Sequence, residues 1–257
     1  MVSYIDKDST DLIAQLFKDW NETLIWSCLQ GCMGVAYADS LECPVSAQII
    51  IADFCFFAGK VNRELIVHKP LNLDQDFIIM VPENEEWARE IEFVYGEKAK
   101  QVTRYAFKKE KDIFDVVYLM NIVKNLDIEY ELKFIDENLF DLVMAERWSR
   151  DLCSHFENYA DYEKRGVGVV VLQAGKLAAG ASSYTVYRQG IEIEIDTKEE
   201  YRRRGLALSC GASLILECLK RGLYPSWDAQ NPASMALAEK LGYHFDNTYK
   251  AYEITNY

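Results

Sequence analysis

The residues best suited to chemistry lie in one run, Ile191 to Ala207 (IEIEIDTKEEYRRRGLA). Its first part alternates apolar and acidic residues with the period of a β-strand. That puts Ile191, Ile193 and Ile195 on one face and Glu192, Glu194 and Asp196 on the other. Three carboxylates on one strand face are more than packing asks for, and such a group accepts protons and attracts cations. The structural alternative is a solvated face, or carboxylates tied to backbone and arginine partners. The second part, Arg202-x-x-Gly205-x-Ala207, stands between that strand and a helix expected from about Leu206. Such a turn leaves several backbone N–H groups at the positive end of a helix dipole, which together hold a phosphate or pyrophosphate without side-chain help. Gly205 allows close approach and backbone conformations that other residues avoid, and Ala207 keeps the first turn slim. Arg202, Arg203 and Arg204 add positive charge. The bland reading is a solvated basic loop; the alternating strand before it and the amphipathic helix after it favour the anion site.

This local site stands in an acidic chain. The 257 residues carry 28 Lys/Arg against 41 Asp/Glu, a net charge of −13, and the acidity is spread over both halves. A protein that binds nucleic acid by neutralising phosphates needs a basic face, so nucleic-acid partners are excluded. The 50% hydrophobic composition supplies a packed core at a length that suits two small domains or one large one. The N-terminal MVSYIDKDSTD is acidic where a secretory signal is basic, and the most apolar run, Ile49 to Gly59, is interrupted by Asp53. That run is far shorter than the roughly 18 residues that cross a bilayer, so a cytoplasmic protein without a membrane partner is expected. Seven scattered cysteines read as reduced thiols. Cys28-x3-Cys32 finds no further ligand, and His68, His155 and His244 have no metal-like spacing, so no metal site is expected.

The elements that must position these residues follow from periodicity. A helix is expected over 9–33, strands over 34–38, 47–58, 76–81 and 99–108, and helices over 85–95 and 111–125. After these come a strand at 130–135, a helix over 137–156 capped by Asp136, and a three-stranded antiparallel meander at 166–173, 180–187 and 190–197. A helix over 206–221, a short strand at 224–228 and a helix over 232–241 complete the pattern.

The last helix carries a second motif, Asn231-Pro-Ala-Ser234-Met-Ala-Leu237-Ala-Glu-Lys240-Leu-Gly242-Tyr243. With the Arg202-x-x-Gly205-x-Ala207 turn, its order and spacing resemble the acyl-CoA-binding core of the GCN5-related N-acetyltransferase (GNAT) superfamily. The fuller wording (IEIEIDT, RGLA, YPSWDAQN, AEKLGY) is similar to the zwittermicin-resistance branch, with weaker matches such as Asp53 to Gly59 near the front. The resemblance implies an α/β protein. Residues 129–257 would form a GNAT-like catalytic domain with a central mixed, mainly antiparallel sheet flanked by helices, and 1–128 a separate α/β domain. It implies transfer of acetyl from acetyl-CoA, as cosubstrate, to an amine of a small molecule such as an antibiotic or another cationic metabolite. The cleft would open where two parallel strands splay apart.

By position in the motif, the backbone of Ile195, Asp196 and Thr197 would run beside the pantetheine. Arg203, Arg204, Gly205, Leu206, Ala207 and Leu208 would wrap the pyrophosphate, with Arg202 opening the turn. Asn231 and Ser234 would contact the pantetheine arm or the thioester end. Glu192 or Glu194 would face the cleft as general base, directly or through water. Many members of the superfamily place a tyrosine after the leucine of the last helix as the acid for the departing thiolate; here that position is Ala238. Ser234, Tyr243 or water must replace it, unless the acid is dispensable, and the loss keeps open an acyl-CoA-binding regulatory or interaction protein without turnover. Asp228 is a candidate for the substrate amine or for capping the Asn-Pro helix. Three roles suit the first half: a degenerate copy of the same fold, a specificity domain, or the surface of a homodimer.

Overall fold

The computed structural model describes residues 2–71 and 76–257. Two compact units form: Met1–Arg104 with Thr248–Tyr257, and Tyr105–Asn247. The split expected after Ile128 therefore shifts, since residues 105–128 join the second unit and the C-terminal segment joins the first.

In the first unit, β1 (Ser3–Ile5) and the short helices α1 (Asp11–Ala14) and α2 (Thr23–Leu29) precede β2 (Val35–Ala38), β3 (Ser46–Ile51) and β4 (Phe54–Gly59). Next come α3 (Arg63–Val67), β5 (Phe77–Pro82), α4 (Glu85–Tyr95) and β6 (Ala99–Phe107), whose last three residues belong to the second unit. The single helix expected over 9–33 is broken. Glu22 is extended (φ −128°, ψ 119°) and its carboxylate accepts from the Leu24 N–H, starting α2 afresh. The single strand expected over 47–58 is a hairpin, with Ile51 opposite Phe54 and Ala52 at φ 52° in the turn. Both strands are almost wholly buried, so the continuous apolar run hides the turn between them.

The second unit contains α5 (Val116–Lys124), β7 (Tyr130–Phe134), α6 (Glu137–Ala145), α7 (Tyr159–Arg165), β8 (Gly168–Gln173), β9 (Lys176–Tyr187) and β10 (Gly190–Thr197). These are followed by α8 (Leu206–Lys220), β11 (Tyr224–Ser226), β12 (Asp228–Ala229), α9 (Pro232–Leu241) and β13 (Phe245–Thr255), whose end returns to the first unit. Its sheet has the order β11-β10-β9-β8-β7; the expected meander is antiparallel and β10–β11 is parallel. Helix α5 packs on α8, which is why 105–128 belongs here. The helix expected over 137–156 stops at Ala145. Asp136 caps it through the Leu139 N–H as expected, but Glu146 turns extended (φ −104°, ψ 135°) and Ser149 Oγ donates to the Val143 carbonyl at 2.8 Å, closing the end.

In the first unit β1 to β4 pair antiparallel, β4–β5 is parallel, and β13 pairs antiparallel with β5 from Tyr252↔Met80 to Thr255↔Phe77. Its core gathers Phe57, Trp87, Tyr252 and Ile254. Trp87 stacks on Phe57 with ring centroids 5.1 Å apart and donates from Nε1 to the Gly59 carbonyl at 2.9 Å. The strand β13 has no counterpart in the sequence reading, because its first residues (FDNTY) are largely exposed and show no apolar alternation. Trp87→Ala is expected to cost about 3–5 kcal/mol, the range for removing a large buried ring, as read by urea unfolding.

Candidate active site

Strand β10 is held on both edges only at its start. It pairs in parallel with β11 at Gly190↔Tyr224, Ile191↔Pro225 and Glu192↔Ser226. The approach at the first rung is close: a Cβ on Gly190 would lie 2.0 Å from the Tyr224 carbonyl oxygen. Past Ser226 the chain leaves β10. Asp228 and Ala229 pair with Ala106 and Tyr105 of β6, so Asp228 is a strand residue there and not the cap of α9. On its other edge β10 shifts register against β9 between Glu192 and Ile193 and stays paired to Thr197↔Ala179. The result is a V between two parallel strands, with the backbone from Ile193 to Thr197 beyond the β11 ladder.

Packing fixes the apex of the V. Tyr243 is buried at 2% exposure, and its hydroxyl donates to the Pro225 carbonyl at 2.6 Å. Its ring sits against Trp227 (5.5 Å), Phe114 (5.0 Å) and Phe107 (5.9 Å). Trp227 Nε1 donates to Ser234 Oγ at 3.2 Å, tying the divergent strand to α9. Asn231 Oδ1 accepts from the Ser234 N–H at 2.9 Å, with Pro232 opening the helix, so Asn231 is the N-cap. Ser234 Oγ keeps its own proton to donate. Ala238, where the family tyrosine is usual, is fully buried.

The turn after β10 has the geometry of an anion site. Gly205 lies in the left-handed region (φ 80°, ψ 2°) directly before α8, and no side chain caps the helix. Helical bonding begins with the Ser209 N–H to the Gly205 carbonyl at 3.1 Å, so the amides of Leu206, Ala207 and Leu208 lie ahead of the ladder. A Cβ on Gly205 would meet nothing within 4 Å; glycine is needed here for conformation, not for room. Arg203 also has positive φ (63°). Two of the three arginines brace the turn. Arg202 Nε donates to the Thr197 carbonyl (3.1 Å), and Arg204 donates to the Tyr130 hydroxyl (3.0 Å) and the Glu200 carbonyl (3.2 Å). Arg203 is exposed and makes no hydrogen bond or ion pair with a described residue.

The carboxylate face of β10 is divided by burial. The isoleucine face packs on α8, with Ile195 Cδ1 3.6 Å from where a Gly211 Cβ would stand. Glu192 is 4% exposed at the apex, and its charge adds to the burial that pushes the Tyr224 phenol up to about 12. Glu194 is half-buried. Asp196 lines an open cleft of about 570 Å³ with Glu146, Arg147, Trp148 and Asp151. Burial raises the Asp196 pKa and the nearby Asp151 charge raises it further, while the Thr197 N–H and Arg202 pull it down. Glu146 is held low by a hydrogen bond from Trp148 Nε1 (2.7 Å) and by Lys198 Nζ (3.1 Å). Residues 146–151 were not among the expected site residues, because they fall inside the helix expected over 137–156; the turn-forming Ser149-Arg-Asp was the available signal.

Among the described residues no group of three or more His, Cys, Asp or Glu could hold a metal ion, and no helix is long and apolar enough to cross a membrane. Five cysteines (28, 55, 153, 210 and 218) are buried; burial pushes Cys28, Cys153 and Cys218 up to about 12.

A meander feeding one arm of a V of parallel strands, with a glycine-opened helix turn at the end of that arm, is the architecture of an acyltransferase. The chain belongs to the GNAT acetyltransferase family, whose model matches residues 14–252. It is similar to the crystal structure of a GCN5-related N-acetyltransferase-like protein from Streptococcus suis 89/1591. Identity is 45%, coverage is 95% of this chain and 98% of that one, and the TM-score is 0.90. An uncharacterised N-acetyltransferase of Bacillus subtilis (strain 168), YdfB, is 28% identical over 180 residues, 62% of this chain and 69% of its own. A tandem GNAT protein from the clavulanic acid biosynthesis pathway shares the fold at 11% identity, with a TM-score of 0.55 over 100% of this chain and 99% of that one.

Two outcomes follow. Tyr243→Phe leaves the Pro225 carbonyl without its hydroxyl partner and is expected to cost about 1–3 kcal/mol in chemical denaturation. Asp196 has a folded pKa above its unfolded value of 3.8, so its charged form is disfavoured in the folded chain. Stability therefore falls as pH rises through the window from the unfolded to the folded pKa and stays lowered above it. Asp196→Asn should melt at or above wild type at pH 7, with the difference vanishing as the pH falls below that window.

Proposed function

We propose that the chain is an acetyl-CoA-dependent N-acetyltransferase acting on a cationic amine of a small molecule, in the branch that resembles zwittermicin-resistance acetyltransferases. The observation that carries this reading is that one strand, β10, both opens the V and leads into the uncapped turn before α8. The residues present suit the cosubstrate. The amides of Leu206 to Leu208, at the positive end of a fifteen-residue helix, offer a cradle for a pyrophosphate. Arg203 adds a charge that Arg202 and Arg204 have committed elsewhere. The backbone of Ile195 and Asp196, beyond the β11 ladder, offers donors and acceptors to an amide-bearing arm, and Thr197 closes the segment with its N–H on Asp196 and its carbonyl on Arg202. Asn231 and Ser234, at the start of α9, are the candidates for the pantetheine arm or the thioester end.

Acetyl-CoA, when bound, supplies an acyl group activated as a thioester. The chain's own part is to deprotonate the incoming ammonium and to exclude water. Glu192 at the apex and Glu194 one pleat along are the proton acceptors, acting directly or through water. Ser234 Oγ, which keeps a proton to donate, is the candidate acid. On the acceptor side the surplus of carboxylates favours a cation. The likeness to a tandem GNAT protein supports reading the first half as a degenerate unit of related fold, and the reduced, buried thiols support a cytoplasmic setting.

The test has two arms. CoA should raise the melting temperature, and Gly205→Val, which forces a β-branched residue into the left-handed region, should weaken that shift by tenfold or more in ligand concentration. Acetyl-CoA with a suitable amine should release thiol, and Glu192→Gln combined with Glu194→Gln should abolish the release. No shift at millimolar CoA would contradict the reading; a shift without release across a broad amine panel would favour a binding protein without turnover.

A further inference from the structure

The cleft behind β10 carries a charge pattern that selects among amines. Of its acids, Glu146 is already committed: Oε2 accepts from Trp148 Nε1 at 2.7 Å and meets Lys198 Nζ at 3.1 Å. That pair ties the segment after α6 to the exit of β10 and fixes Trp148 as one wall. Asp151 makes a single long contact, from Ser154 Oγ at 3.3 Å, and Asp196 is held by the Thr197 N–H with Arg202 at the outer limit of pairing, 4.0 Å. Two carboxylates thus keep acceptor capacity toward the cleft. Arg147 lines the same cleft, is exposed, and makes no hydrogen bond or ion pair with a described residue, although acids surround it. A purely cationic ligand would be repelled by that guanidinium. A ligand bearing both signs uses it, because a planar guanidinium matches a carboxylate in a two-pronged geometry.

Resting on the acetyltransferase reading above, we propose that the acceptor is a small zwitterion, an amine that also bears a carboxylate. Its ammonium group is placed by Asp196 and Asp151, its carboxylate is held by Arg147, and Trp148 covers the carbon chain between them. Asp196 stands on the strand that carries Glu192 and Glu194, so an ammonium beside it lies on the carboxylate face that leads to the apex. Asp196, Asp151 and Arg147 are specificity residues; Glu194, next to Asp196 on the same strand face, is the glutamate within reach of that ammonium through a water.

The experiment uses the full chain at saturating acetyl-CoA and reads thiol release with matched pairs that differ only in the carboxylate: lysine against cadaverine, and arginine against agmatine. The carboxylate-bearing member of at least one pair is expected to be preferred by about 10- to 100-fold in kcat/KM, mostly through KM. Arg147→Met should erase that preference while the KM for acetyl-CoA stays at its wild-type value; Arg147→Lys should restore part of it. Equal loss on both members, or a wild-type preference for the diamine, overturns the zwitterion while leaving the acetyltransferase standing. No release with any member despite a CoA-induced rise in melting temperature overturns both. Because Arg147 is exposed and bonds to no described residue, an unchanged melting curve separates these outcomes from misfolding.

Discussion

The divergence of β10 from β11 after the Glu192↔Ser226 rung is the constraint on which the second unit is built. Two parallel strands joined along their length would present a closed sheet and no cleft. Here Gly190 lets the strands meet within a distance that any side chain would forbid, and two residues later the partner turns away to pair with β6. Tyr243 and Trp227 hold the turning point, one through the Pro225 carbonyl and the other through Ser234. The backbone of β10 past Glu192 is thereby left without a rung to β11.

The proposed cosubstrate site reconciles an anionic ligand with a chain of net charge −13. It would be made of backbone amides and a helix dipole, set by one glycine in the left-handed region, and so would need little positive side-chain charge. Arg202 and Arg204 brace the loop before α8, and Arg203 bonds to no described residue. In the proposed reading the surplus of acids serves the acceptor side, where Asp151 and Asp196 share the cleft with Arg147.

Much of the second unit was legible in the sequence because its signals are local. The alternation of IEIEIDT, the glycine before α8, the Asn-Pro start of α9 and the Asp136 cap each act within a few residues, and each appears where expected. What was not legible depends on distant partners. Past the end of α6, the Glu146 carboxylate is held by Lys198, which is fifty-two positions away in the chain. The segment after that break lines a cleft with Asp196, so residues 146–151 join the carboxylate face of β10. In the first unit, the turn at Ala52-Asp53 was masked because both flanking strands are buried on both faces, and β13 was masked because its polar start shows no alternation. The grouping of Thr248–Tyr257 with residues near the N-terminus is a pairing of β13 with β5 that no short window contains.

In the proposed reading the released edge of β10 and the first turn of α8 together hold the cosubstrate. Amide hydrogen exchange with and without CoA distinguishes this from a cosubstrate held elsewhere. Slowed exchange is expected in Ile193 to Thr197 and Gly205 to Leu208, with little change in β7 and β8. Protection that spares both segments, or exchange unaltered at saturating CoA, would contradict it.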